Sequence, residues 1–166
     1  MKKLTLLLAI ILTAGFIGFG QASKKEFSHK AAKTERVKFD PKRDPKIDLQ
    51  AAISLAQKKK KRIILDIGGE WCGWCRLMDN YLIKNRSLSK LRDKNFIWVK
   101  VNFSEENENK EFLAAYPEIQ GYPHLYILEK DGTLLLSKNT SELEEGKSYN
   151  LQKFIGFLKE WSPKKK

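Results

Sequence analysis

Ile63-Ile64-Leu65-Asp66-Ile67-Gly68-Gly69-Glu70-Trp71-Cys72-Gly73-Trp74-Cys75-Arg76 is the stretch on which the reading of this chain turns. Its first five residues form an apolar run with one carboxylate embedded, short enough for a buried strand. Gly68 and Gly69 then leave the backbone free to turn. Beyond the cysteines, Leu77, Met78, Tyr81 and Leu82 recur at helical spacing, which predicts a helix over 76–85. The two cysteines of the chain therefore stand where a strand gives way to a helix. At i and i+3 on a first helical turn they can close a small disulfide ring. A helix N-terminus also presents unpaired N–H groups and the positive end of the dipole, and both stabilise a thiolate. In such settings a Cys pKa falls from about 8.5 to roughly 3.5–7.5. Cys72 lies nearest the helix start and is the expected nucleophile, more exposed than its partner. Cys75, one turn in, is the expected resolving thiol. A purely structural disulfide is the alternative, but so short a ring removes little entropy from the unfolded chain.

The segment from Asp66 to Arg76 resembles the active-site segment of the thioredoxin-fold thiol–disulfide oxidoreductases, in particular secreted members with Trp-Cys-x-x-Cys followed by a basic residue. The resemblance extends over about residues 34–161. Asp66 matches the buried Asp in the strand before the family's cysteines. Lys100, within Val99-Lys100-Val101-Asn102, matches the lysine near that Asp. Gly121-Tyr122-Pro123 matches the loop that holds the family's cis-proline beside the cysteines. The resemblance implies an α/β fold with a central mixed sheet and helices on both faces. It implies a redox disulfide Cys72–Cys75, with Asp66 exchanging the proton of Cys75 and Lys100 moderating its acidity. Trp71, Gly73, Trp74, Tyr122 and Pro123 become the expected substrate-facing set. Trp74 departs from the Gly-Pro pair of ordinary thioredoxins, and the residues between the cysteines tune redox poise.

No cofactor is expected beyond the cysteine pair. The expected partners are disulfide-containing client proteins and a membrane electron donor, with the chain itself a monomer. The expected direction is reduction of client disulfides. A second reading is copper or zinc binding or delivery through Cys72, Cys75 and His124, which follows Pro123 directly. Two thiolates are too few for a closed zinc site, and strand alternation should turn His124 away from the Pro123 face. The site therefore carries no expected metal. His29 has no expected role.

Residues 1–22 read as an export signal: Met1-Lys2-Lys3, an apolar run from Leu4 to Phe19, then Gly20-Gln21-Ala22. The run is shorter than the about 20 residues of a typical membrane span, so cleavage after Ala22 is expected over retention as an inner-membrane anchor. The expected location is periplasmic or secreted. A basic linker over 23–34, one domain over 35–161 and a basic tail over 162–166 complete the organisation. Without Lys2 and Lys3 the chain carries 30 Lys and Arg against 20 Asp and Glu, a net +10. Such charge speaks to solubility and association. The basic runs lack interleaved aromatics, and no nucleic-acid partner is expected.

Around the central segment the pattern predicts a short edge strand at 36–39 and a helix over 47–57. That helix would place Ile47, Ala51, Ala52, Leu55 and Ala56 on one face. A helix over 87–94, a strand over 96–103 and a helix over 105–116 follow. A strand over 124–129, a tight primed turn at Asp131-Gly132 and a strand over 133–137 come next. A polar loop over 139–148 then leads to a helix over 149–161.

Overall fold

The computed structural model describes residues 36–164. The expected leader over 1–22 and linker over 23–34 lie outside the described residues, as do Lys165 and Lys166. Strands β1 (Arg62–Gly68), β2 (Phe96–Asn102), β3 (His124–Leu128) and β4 (Leu134–Asn139) form one sheet in the order β2-β1-β3-β4. β1 and β2 are parallel, with Asp66 level with Lys100. β3 runs antiparallel to both β1 and β4. The connection from β1 to β2 is made by α2 (Gly73–Lys84) and α3 (Arg86–Asn95).

Strand alternation divides the apolar residues between two cores. Ile63, Leu65 and Ile67 join Val99, Val101, Tyr126 and Leu128 on one face, under Ala52 and Ala56 of α1 (Pro45–Lys59) and Phe112 of the one-turn helix α4 (Lys110–Leu113). Ile64, Leu125 and Ile127 occupy the other face. There they meet Met78 and Leu82 of α2, Leu88 of α3, and Phe154, Phe157 and Leu158 of α5 (Leu151–Glu160). The fold class is therefore the expected one: a mixed sheet with helices on both faces.

Several local expectations are corrected. Residues 36–40 pair with no strand; Arg36 and the Phe39 N–H bind the Glu70 side chain near the cysteines instead of a strand edge. Helix α1 begins at Pro45, capped by Asp44, whose carboxylate accepts the Lys46 N–H at 2.8 Å. Its buried side is Pro45, Ala52 and Ala56, with Leu49 and Ile53 against the same core. Ile47 is 68% exposed, and Ala51 and Leu55 also face out. The expected 105–116 helix shrinks to the single turn of α4. Residues before it form an asparagine-tied turn, in which Asn side chains take backbone groups a helix would need. The hairpin between β3 and β4 forms, but with a longer loop. Gly132 N–H donates to Glu129 O at 3.0 Å, and Gly132 has φ +94° while Lys130 and Asp131 do not turn left-handed. A primed turn needs positive φ at the first central residue, and type I′ needs it at both. The expected polar loop contains a 3-10 turn (Thr140–Leu143) and two short paired strands, β5 (Glu144–Glu145) and β6 (Ser148–Tyr149).

Candidate active site

The Cys72–Cys75 disulfide closes over the start of α2 with 5.2 Å between Cα atoms. Cys72 is the N-cap, and its Sγ accepts the Cys75 N–H at 3.0 Å. An orphan donor of the first turn thus points at the sulfur expected to carry charge. Exposure differs less than expected. Cys75 is fully buried and Cys72 is 4% exposed, because Phe39 packs on the pair alongside Trp74 and Tyr122. What little access there is belongs to Cys72. Gly68 makes room underneath: a Cβ there would lie 2.5 Å from Cys75 Sγ and 3.1 Å from the Phe39 ring.

Asp66 and Gly68 share a sheet face by alternation, so Asp66 lies on the cysteine side of β1. Asp66 is fully buried. Its Oδ2 accepts Lys100 Nζ at 2.9 Å and Trp98 Nε1 at 3.0 Å, while Oδ1 has no hydrogen-bond partner. Lys100 also donates to Asp79 Oδ1 at 2.7 Å, and Arg36 Nη1 donates to Asp79 Oδ2 at 3.1 Å. Arg36 continues to Glu70 Oε1 at 2.8 Å, and the same oxygen accepts the Phe39 N–H at 2.9 Å. A chain of ion pairs therefore runs from Asp66 through Lys100, Asp79 and Arg36 to Glu70, two residues before Cys72. The Lys100 ammonium also sits 3.9 Å from the centre of the Phe39 ring.

Burial pulls the Lys100 pKa down, but Asp66 and Asp79 outweigh it, and the group titrates above its ordinary value. Burial and the charge of Asp66 push Asp79 above the usual carboxylate range, despite Lys100 and Arg36. The hydrogen bond from Arg36 holds Glu70 below that range. Asp79, Glu70 and Arg36 were not singled out from sequence. For Asp79 a signal existed: Cys75, Asp79 and Leu82 mark the inward face of α2 at i, i+4 and i+7, and a carboxylate stands among them. For Arg36 there was none, since it lies 34 positions from Glu70 in the chain.

The expected substrate-facing residues form an aromatic shelf beside the disulfide. Trp71 is 56% exposed, and its Nε1 donates to Phe103 O at 2.6 Å. Its indole meets Tyr122 edge-on at 5.5 Å, and Tyr122 stacks on Phe103 at 5.0 Å. Gly69 allows this: a Cβ there would collide with the indole and lie 2.7 Å from Phe103 O. The Tyr122–Pro123 bond is cis, and Pro123 O accepts the Thr140 hydroxyl at 2.7 Å. Gly73 is exposed, with open space beside it. Trp74 turns partly inward and meets Tyr149 edge-on at 5.6 Å.

His124 stands apart from these groups. It is level with Ile67 in the sheet and so faces the opposite core, 4.8 Å from the Tyr126 ring, with Nε2 against Ser137 Oγ at 2.8 Å. Burial lowers its pKa. The structure does not bring it to the cysteines, so the metal set Cys72, Cys75 and His124 is not assembled. Among the described residues no group of three or more His, Cys, Asp or Glu is placed to hold a metal ion.

A family model described as thioredoxin-like matches residues 44–130. Spermatogenesis-associated protein 20 of Mus musculus is 36% identical over 78 residues, covering 45% of this chain and 10% of that protein. The chain thus spans about a tenth of that curated relative. Among solved structures, a disulphide isomerase from Xylella fastidiosa Temecula1 superposes with a TM-score of 0.64 at 26% identity. The match covers 74% of this chain and 94% of that one. The oxidised C-terminal domain of Neisseria meningitidis DsbD gives a TM-score of 0.51 at 20% identity over 75% of this chain and 98% of that one, a likeness of fold.

Proposed function

The chain belongs to the thioredoxin-like family, and on that premise we propose that it reduces disulfides of client proteins outside the cytoplasm. It is a thiol–disulfide oxidoreductase with a redox cysteine pair; the direction, the compartment and the residue roles are the proposal. The observation that carries it is Cys72 Sγ at the α2 N-cap, on the side of β1 that also buries Asp66 joined to Lys100.

The reaction begins from the dithiol. The Cys72 thiolate, favoured by the Cys75 N–H and the helix dipole, attacks one sulfur of a client disulfide. A Cys72–client bond forms, the client S–S bond breaks, and the second client sulfur leaves as a thiolate. Cys75 then loses its proton to Asp66, whose Oδ1 has no other partner. Cys75 attacks Cys72 Sγ, the Cys72–Cys75 disulfide forms, and the first client sulfur is released. Two electrons have passed to the client. Lys100 holds the carboxylate in place through Oδ2, which leaves Oδ1 to take the proton. Trp71, Gly73, Trp74, Tyr122 and Pro123 frame the docking face, and the Tyr122 backbone is the proposed contact for an extended client strand. A membrane-embedded dithiol donor restores the thiols, because the compartment proposed for the chain is oxidising.

Equilibration with glutathione buffers tests the direction. A potential near about −270 mV supports a reductase, and one near about −120 mV overturns it in favour of an oxidant. Export is tested by N-terminal sequencing of the protein recovered outside the cytoplasm. A start at Ser23 supports it, and a start at Met1 contradicts cleavage.

A further inference from the structure

A groove of about 710 Å³ opens beside the disulfide, on the side of the exposed indole. Its floor is apolar: Phe39, Pro41, Trp71 and Phe103. It lies one side chain from the reacting sulfurs, since Phe39, which lines it, packs on Cys72 and Cys75, and Trp71 precedes Cys72 in the chain. Its wall is acidic: Glu70, Glu105, Glu106 and Glu108 line it, and no lysine or arginine does. That is a departure for a chain of net charge +12.

The wall is held rigidly. Ser104 and Asn107 exchange backbone hydrogen bonds at 3.1 and 3.0 Å, so Glu105 and Glu106 form the tip of a tight turn. Asn102, 5% exposed, donates from Nδ2 to Ser104 Oγ at 2.9 Å and to Asn107 O at 2.8 Å. Asn107 Nδ2 reaches across the groove base to Pro41 O at 2.9 Å, and Asn109 Nδ2 returns to Asn102 O at 2.7 Å. Glu70 is paired with Arg36, and Glu108 with Lys110. Among the described residues Glu105 and Glu106 have no ion-pair partner. Glu105 and Glu106 thus stand exposed at the tip of a hydrogen-bonded turn, at the rim of an apolar floor.

We propose that this groove holds the client segment flanking the reactive disulfide, and that it selects a segment carrying Lys or Arg beside an apolar or aromatic residue. The apolar or aromatic residue lies on Trp71 and Phe103, and the cation faces Glu105 and Glu106. Complementary charge at an exposed rim acts mainly on encounter and register, so the preference appears in the second-order rate and weakens with salt. The inference rests on the exchange reaction proposed above and adds the class of client.

The test uses the reduced full chain and two synthetic peptides with the same disulfide loop, one flanked by Lys and Phe, the other by Glu and Phe. Each peptide's rate is divided by its rate with dithiothreitol, which removes the effect of charge on the disulfide itself. The neutral 2-hydroxyethyl disulfide reports whether exchange occurs at all. At low ionic strength the corrected ratio should favour the basic peptide by about three- to tenfold, the range two exposed ion pairs supply. It should shrink as salt rises and fall toward one in E105Q/E106Q. A ratio of one or below in the unsubstituted chain would overturn the proposal, as would a preference that survives both salt and the double substitution. The salt series on the unsubstituted chain decides even where the variant folds poorly. Failure to react with either peptide or with 2-hydroxyethyl disulfide would instead overturn the exchange function on which the groove's role depends.

Discussion

Asp66 shows how much one buried carboxylate depends on its neighbours. An ionised group in an apolar strand is costly unless paired, and here Lys100 and Trp98 both donate to Oδ2. That leaves Oδ1 as the acceptor not already engaged. Asp66→Asn keeps the shape and removes the proposed proton acceptor. The expected result is resolution of the mixed disulfide about 100-fold slower, the low end of what positioned general bases contribute, with the first attack by Cys72 changed far less. Stopped-flow records that resolve the two steps check this, and an unchanged resolution rate would remove Asp66 from the mechanism. Asp66 and Lys100 were legible in the sequence because each stands at a fixed place relative to the cysteines. Asp79 was less so: its neighbour Met78 accounted for the helical period, and a charge beside it reads as a solvated flank until the fold buries it.

At the scale of elements, the junction between β1 and α2 governs the site. The strand, the glycine pair and the helix were all readable from the apolar run, Gly68-Gly69 and the spacing after Cys75. What each glycine is for was not readable, because it depends on groups from elsewhere. Gly68 faces Cys75 Sγ and the Phe39 ring, and Gly69 faces Trp71 and the Phe103 carbonyl. Gly68→Ala forces a methyl group into a filled space, and overpacking of that kind costs about 1–3 kcal/mol. The urea midpoint of the oxidised protein should fall accordingly, and a midpoint equal to the unsubstituted chain would mean that Cys75 and Phe39 give way freely. The helices misread from sequence failed for identifiable reasons. In α1 several alanines fit more than one face, and packing on the sheet selects the face of Pro45, Leu49, Ala52, Ile53 and Ala56. In residues 105–109 the asparagines compete for the backbone, and helical periodicity alone cannot register that.

At the scale of the whole molecule, two cores on opposite sheet faces hold one small region in which sequence-distant groups meet. Arg36 comes from the start of the described chain, Glu70 and Asp79 flank the cysteines, and Lys100 comes from β2. The sheet, its flanking helices and the cysteine pair were legible because each is written locally. The ion-pair chain and the acidic groove were not, because they arise from the return of distant segments. The cysteines differ through this assembly: Cys72 sits at the helix cap and keeps the remaining access, while Cys75 is sealed between Gly68 and Phe39. The most direct test of the account is therefore trapping in cells with acid quench. Cys75→Ser leaves a competent nucleophile that cannot release its client, so it should accumulate mixed disulfides that mass spectrometry can identify. Cys72→Ser should accumulate almost none, because a sealed thiol lacks both the access and the thiolate fraction that exchange requires. Equal trapping by the two variants, or none by either, would contradict the exchange mechanism assigned to this pair.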